Sequence, residues 1–270
     1  MKVLILHKNE SRACKLAATI QADLRARDVE AVVVENHQPA LRDLQDYTLI
    51  IVLGGDGTIL ETARLLTGSD IPLLGINFGK IGFLSSIEPD DWPLALEKLM
   101  QHQYSLEKRM MIEAQINRDG QGLHLGRALN DVVIRSQVLH IMTLKLSVDG
   151  RPYAVYRSDG VICATPTGST AYSYSAGGPV LAADLEAMVV TPVCPQLSCA
   201  RSLVIKADAQ LELTIDCDCG AGIALDGEKE MDLIKGDRIS IRRSKETVSF
   251  VQINPVSSMK KIVRCRNRIS

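Results

Sequence analysis

The unbroken apolar run Leu49-Ile50-Ile51-Val52-Leu53, followed at once by Gly54-Gly55-Asp56-Gly57-Thr58, constrains the fold of this chain more than any other stretch. A strand that is apolar at every position offers no face to water. It therefore belongs inside a parallel sheet covered on both sides by helices. The glycines after it let the backbone turn sharply and approach a ligand without Cβ collisions.

The flanking sequence agrees. Residues 3–7, 31–34 and 72–76 read as further short apolar strands. Helices are expected at 11–28, 58–66 and 90–101; in the first, Ser11 can cap, and Cys14, Leu16, Ala17, Ile20 and Leu24 recur near helical spacing. This alternation implies an α/β Rossmann-like N-terminal domain on an open, doubly wound parallel sheet. After Tyr104 the texture changes. Residues 111–117, 128–135, 143–148, 161–164, 211–217, 238–243 and 247–253 read as strands, with separators such as Asp149-Gly150, Asp226-Gly227 and Lys235-Gly236-Asp237. The expected division is a Rossmann-like domain at 1–102 and a β-rich domain at 103–253.

Composition excludes several classes. Thirty-one basic and 32 acidic side chains leave a net charge of −1, so the chain lacks the basic footprint of a nucleic-acid binder. Aromatic residues, at 4%, supply no stacking run for single strands either. The opening Met1-Lys2-Val3-Leu4-Ile5-Leu6-His7 is too short for a signal-peptide core, and no apolar run is long enough to span a bilayer. The seven cysteines contain no Cys-x-x-Cys pair, and they read as reduced thiols of a cytoplasmic protein. His7, His37, His102, His124 and His140 show neither triad nor metal spacing. The expectation is a cytoplasmic protein acting on small ligands, with no nucleic acid, no membrane and no resident metal-ligand set.

Two stretches carry chemistry. Ligands of open parallel sheets bind beyond the carboxyl ends of the strands, where the glycine turn lies. Unpaired amides there and at the next helix start can receive phosphate oxygens. Asp56 would repel phosphate unless it holds a metal or takes a proton from an incoming hydroxyl. The alternative is that Asp56 merely caps the helix. No Gly-x-Gly-x-x-Gly follows a strand and no Gly-Lys-Ser/Thr ends the loop. Gly79-Lys80-Ile81-Gly82-Phe83 forms a second flexible turn beyond the same sheet edge.

The second stretch is Thr165-Pro166-Thr167-Gly168-Ser169-Thr170-Ala171-Tyr172-Ser173-Tyr174-Ser175-Ala176-Gly177-Gly178-Pro179. Pro166 and Gly168 force a turn. Ser169 or Thr170 can start a short helix that Gly177-Gly178-Pro179 ends. In such a helix Ser169, Tyr172 and Ser173 share one face, so hydroxyls and a ring would project together toward a polar, planar, phosphorylated ligand. An over-supplied capping segment is the alternative.

These two stretches, the turn at 79–83 and Ala128-Leu129-Asn130-Asp131-Val132-Val133-Ile134 resemble the successive motifs of the NAD kinase family, from the first strand to about Lys235. Gly-Gly-Asp-Gly-Thr also occurs in diacylglycerol and sphingosine kinases, whereas Thr-Pro-Thr-Gly-Ser-Thr-Ala-Tyr is far more specific. The resemblance implies a C-terminal β-sandwich after the Rossmann-like domain, with residues 254–270 packing back on the first domain. It implies phosphorylation of the adenosine-ribose 2′-hydroxyl of NAD, giving NADP, with ATP as co-substrate and a divalent cation, Mg²⁺. It also implies a homodimer or homotetramer.

By position, Asp56 matches the family's proposed base, and Gly55, Gly57 and Thr58 its phosphate-side turn. Phe83 matches a wall of the pocket. Asn130, Asp159, Thr170, Ala171, Tyr172 and Ser175 match dinucleotide-contacting positions, Asp131 stands at the next such position in place of the family's Glu, and Arg157 and Asp226 match polar positions near the site. Two departures stand out. The family's Asn-Glu pair is Asn130-Asp131 here, one methylene shorter. Gln196 and Ser202 stand where relatives often carry His and Pro. A lipid kinase sharing the glycine turn would need an apolar acyl site, which the hydroxyl-rich segment does not suggest. A non-catalytic dinucleotide sensor would be expected to lack the carboxylate that Asp56 supplies. The basic run at 260–268 reads as a charged strand edge.

Overall fold

In the computed structural model, which describes residues 1–35, 44–80, 82–196, 200–216, 218 and 220–253, the apolar run is a strand buried at every position. The chain forms two compact units. Among the described residues, one comprises Met1–Arg109 and 248–253; the other is Met110–Thr247. The expectations for 254–270, including the basic run at 260–268, lie outside the described residues.

The first unit runs β1 (Lys2–His7), α1 (Ser11–Arg25), β2 (Glu30–Glu35), β3 (Leu49–Gly54), α2 (Asp56–Leu65), β4 (Leu73–Asn77) and α3 (Trp92–Met100). The strand order is β2-β1-β3-β4, and every pairing among them is parallel. Phe250 pairs in parallel with Leu73, so the last described strand continues the sheet beside β4. One face of the sheet buries Ile5, Ile51 and Leu53 in a cluster with Ala13, Ala17, Ile20 and Leu24 of α1 and Trp92, Ala95, Leu96 and Leu99 of α3. Ile59, Thr62 and Ala63 are the buried residues of α2, which packs on β3 and β4. Each fully buried Leu or Ile contributes about 1.5–3 kcal/mol of transfer free energy. One local expectation fails: Glu10, without a side-chain cap bond, is the N-cap of α1, and Ser11 is already helical.

The second unit is built from β5 (Ser105–Arg118), β6 (Gln121–Ala128), β7 (Asp131–Ser136), β8 (Met142–Val148), β9 (Arg151–Ser158), β10 (Gly160–Ala164), α4 (Tyr172–Ser175), β11 (Ala187–Val193), β12 (Leu203–Lys206), β13 (Leu211–Ile215), β14 (Ala221–Leu225), β15 (Glu228–Leu233) and β16 (Arg238–Gln252). β5 starts in the first unit and β16 ends there. One sheet has the order β12-β11-β10-β7-β14-β15 and is antiparallel throughout. The other places β13 between β16 and β8, with β9 outermost. Side chains from both sheets share one core, including Val132, Ile134, Val161, Cys163, Leu144, Leu213, Ile223 and Ile241. This is a β-sandwich. The outer face of the six-stranded sheet is covered as well: Val133, Ile162, Ala164 and Val189 pack with Leu181, against which Tyr172 and Ala176 lie.

The strands expected at 238–243 and 247–253 are one continuous strand, β16. β6, β9, β11, β12, β14 and β15 were not legible as strands. β9 and β15 show why, because most of their side chains are exposed and carry little buried alternation. The turn pairs perform as read. Asp149 and Gly150, and likewise Asp226 and Gly227, have positive φ at both positions, the geometry of a two-residue hairpin.

Candidate functional site

Each unit carries a cluster of the expected site residues. In the first, β3 ends at Gly54, and Gly55 is the N-cap of α2 in extended conformation without a side-chain cap bond. Asp56 is therefore the first helical residue and not a plain cap. Its carboxylate crosses to the second turn instead, where Oδ2 accepts the Phe83 amide at 3.1 Å and Oδ1 the Leu84 amide at 2.8 Å. The turns also meet through their backbones. A Cβ added to Gly79 would lie 3.0 Å from the Gly55 Cα and 3.8 Å from the Asp56 nitrogen. A side chain at Gly79 would push the two backbones apart by a few tenths of an ångström. Around Gly57 there is open space, and the residue is exposed. Thr58 and Phe83 are half-buried. Asn77, at the end of β4, holds the second turn by accepting the Gly79 amide and donating to Glu88.

In the second unit, three segments lock together around Asn130. Asp226, in its hairpin turn, accepts the backbone amides of Leu129 at 2.8 Å, Asn130 at 2.7 Å and Asp131 at 3.1 Å. The Asn130 carbonyl in turn accepts the Thr165 amide at 2.9 Å, and the Thr165 hydroxyl donates to the Leu129 carbonyl. Gly168 lies so close that a Cβ there would sit 2.0 Å from the Asn130 oxygen. These contacts leave Asn130 half-buried, at the junction of three elements distant in sequence.

Asp131 differs from its neighbours. It is 4% exposed. Burial, and then the negative charge of Asp226, push its pKa up to about 7. Burial, and then the charge of Asp131, also raise the Cys163 thiol.

The hydroxyl-rich segment is less uniform than expected. Gly168–Thr170 is a 3₁₀ turn, Ala171 breaks it, and α4 follows. Ser169 is buried and bonded to Pro166 and Leu181, while Ser173 is buried against Thr191. These two hydroxyls bind their own fold and do not project with Tyr172. Thr170 and Tyr172 are half-buried, as is Ala171, and Ser175 is exposed; the Thr170 hydroxyl donates to the Thr167 carbonyl at 3.1 Å. Asp159 is half-buried and joins the strands through its backbone, to Val193 and Ser136. Arg157 is exposed on β9. The anchoring parts played by Thr165 and Gly168 were not singled out from sequence. Their signal was the Pro-x-Gly spacing, which marks a turn but not what it packs against.

Comparison with known proteins covers both halves. The ATP-NAD kinase N-terminal domain model matches residues 16–104, and the C-terminal domain model matches residues 129–253. An NAD kinase of Nitratidesulfovibrio vulgaris is 37% identical over 266 residues, 96% of this chain and 94% of the relative. One from Lachnoclostridium phytofermentans is 42% identical over 217 residues, 77% and 76% of the two chains. Among solved structures, an NAD kinase from Archaeoglobus fulgidus in complex with ATP superposes with a TM-score of 0.78 at 25% identity, covering 100% of this chain and 98% of the other. A yeast NADH kinase complexed with NADH gives 0.85 at 23% identity, covering 99% and 86%, and shows the shared fold. The glycine turn, the Asn130 junction and the Thr165 segment thus fall within matched regions, and the chain belongs to the NAD kinase family.

Proposed function

We propose that this protein phosphorylates the adenosine-ribose 2′-hydroxyl of NAD with ATP, giving NADP and ADP. The observation that carries this reading is Asp56, a carboxylate at the carboxyl end of a buried parallel strand, held in fixed orientation by two backbone amides. Each carboxylate oxygen keeps a further lone pair, so either can accept the hydroxyl proton as the new O–P bond forms and the bond to the ADP oxygen breaks. Phosphoryl transfer has a loose transition state, so positioning and charge neutralisation supply most of the catalysis. Gly55, Gly57 and Thr58 present backbone amides at the start of α2 for phosphate oxygens. Phe83 supplies an apolar wall.

Dinucleotide binding falls to the second unit. Asn130, Asp131, Asp159, Thr170, Ala171, Tyr172 and Ser175 make the contacts, with Arg157 as a charged flank. Asp226 acts through the Asn130 junction that its carboxylate holds.

Mg²⁺ supplies charge neutralisation on the triphosphate when bound. Among the described residues no group of three or more His, Cys, Asp or Glu side chains forms a cage. Such an ion would be carried in by phosphate oxygens and water. No described helix is long and apolar enough to cross a membrane. We place the enzyme in the cytoplasm, as a homodimer or homotetramer, with no nucleic-acid partner. The test is purified protein with NAD, ATP and Mg²⁺, with NADP followed by a coupled dehydrogenase. NADP formation is expected. Tight NAD binding without turnover would replace the kinase with a sensor.

A further inference from the structure

The carboxyl edge of the first unit carries a cation that the reaction as described does not use. β1, β3 and β4 are adjacent, with His7 opposite Leu53 and Gly54 opposite Asn77. The residues just beyond the two outer strands are pinned to the end of the middle one. The Lys8 amide donates to the Leu53 carbonyl at 3.2 Å, and the Phe78 amide to the Gly54 carbonyl at 2.9 Å. The Lys8 side chain then bridges them, its Nζ donating to the Phe78 carbonyl at 3.0 Å. That carbonyl directly precedes Gly79, the residue whose backbone lies against Gly55 and Asp56. The ammonium is thus fixed beside the two glycine turns, on the side of the sheet where parallel folds bind ligands.

We propose that Lys8 is a phosphate-binding residue for the nucleotide donor, holding the non-transferred phosphates and neutralising the charge that builds on the leaving oxygen. The inference rests on the kinase reading above. An ammonium has three donors. One goes to Phe78 and a second to Glu10, its ion-pair partner at 2.5 Å. With the side chain 34% exposed, the third is available to an incoming oxygen. Glu10 is a placeholder in this scheme, since a triphosphate outcompetes a half-exposed carboxylate. Arg12, which pairs with Asp90 at 3.4 Å, lies over the Phe78 ring at 6.0 Å and places a second cationic side chain at the same edge. Nothing in the core requires a lysine there, because Lys8 is outside the buried set and its main-chain bond survives substitution.

The test compares wild type with Lys8→Met, Lys8→Arg and Glu10→Gln in steady-state assays that vary ATP and NAD separately. Removing a charged donor should raise KM for ATP by about ten- to a hundredfold in Lys8→Met. KM for NAD should stay within twofold, and Lys8→Arg should recover most of the loss. Glu10→Gln should leave KM for ATP unchanged or lower it. A Lys8→Met enzyme whose KM for ATP moves less than twofold overturns the proposal, as does an equal rise in both constants. If Lys8→Met fails to fold, the arginine and Glu10 variants decide: a tenfold rise in KM for ATP on Glu10→Gln would make the Lys8–Glu10 pair structural. A wild-type enzyme that makes no NADP would instead refute the kinase reading, and no variant would be needed to see it.

Discussion

Asp56 and Asp226 use the same device in the two units, and the difference lies in what stands beside them. Each is a short acidic side chain at a tight turn that gathers backbone amides from a loop distant in sequence. Asp56 takes two, from Phe83 and Leu84, and Asp226 takes three, from Leu129, Asn130 and Asp131. Charge-assisted bonds of this kind are the stronger ones, and they explain how loops rich in glycine hold one conformation. The surroundings then diverge. Asp56 lies among glycines with open space around Gly57, where a reactant can approach. Asp226 acts on a second carboxyl, Asp131, whose pKa is raised by burial and then by the Asp226 charge. The first arrangement leaves a carboxylate available for chemistry, and the second fixes a platform.

Substituting Asp56 tests that contrast most severely. Asp56→Asn should lower kcat roughly 10²–10⁴-fold if the group is the base. The amide keeps one acceptor oxygen but turns an N–H toward one of the two backbone donors, so a lower melting temperature should accompany the loss. A folded variant retaining more than about a tenth of wild-type kcat would leave Asp56 as a loop staple only, like Asp226.

The Asp131 carboxyl sharpens the other side of the comparison through pH. Its folded pKa of about 7 lies above the unfolded value of about 3.9, so the native state binds the extra proton. Its contribution is therefore fully present below about pH 4 and declines as pH rises toward about 7, by about 4 kcal/mol in all. Asp131→Asn should remove that slope and be the more stable protein at pH 8. Urea unfolding at pH 5 and pH 8 reads it directly. Parallel pH dependences in variant and wild type would show that Asp131 ionises freely.

Asp226→Ala strips the platform of its acceptor and should cost about 2–3 kcal/mol of stability, with a rise in KM for NAD and little change for ATP. Unaltered unfolding would mean that water replaces the carboxylate and that Asp226 is no staple. The smallest effect belongs to Thr170→Val. Loss of one neutral hydrogen bond should raise KM for NAD by about two- to tenfold. Because the Thr170 hydroxyl already bonds the Thr167 carbonyl, a fall in melting temperature with KM unchanged would mark it as a fold contact.

The sequence by itself determined the strand 49–53, the turn after it, the helix–strand alternation and the hairpins at Asp149-Gly150 and Asp226-Gly227. Those signals are local, set by continuous apolarity and by the few residues that tolerate positive φ. It also marked both motif segments, because their chemistry is written in adjacent positions. Only the tertiary structure decided how those side chains are used. Ser169 and Ser173 looked like ligand hydroxyls and turn inward, because a buried hydroxyl must find a partner and Leu181 and Thr191 lie within reach. Asp56 looked like either a cap or a base, and it reaches Phe83, 27 residues away. Lys8 carried no signal at all, since its meaning comes from lying beside Phe78 across a strand between them. Local sequence fixes backbone shape, whereas the partner of a polar side chain depends on which distant segment the sheet brings alongside.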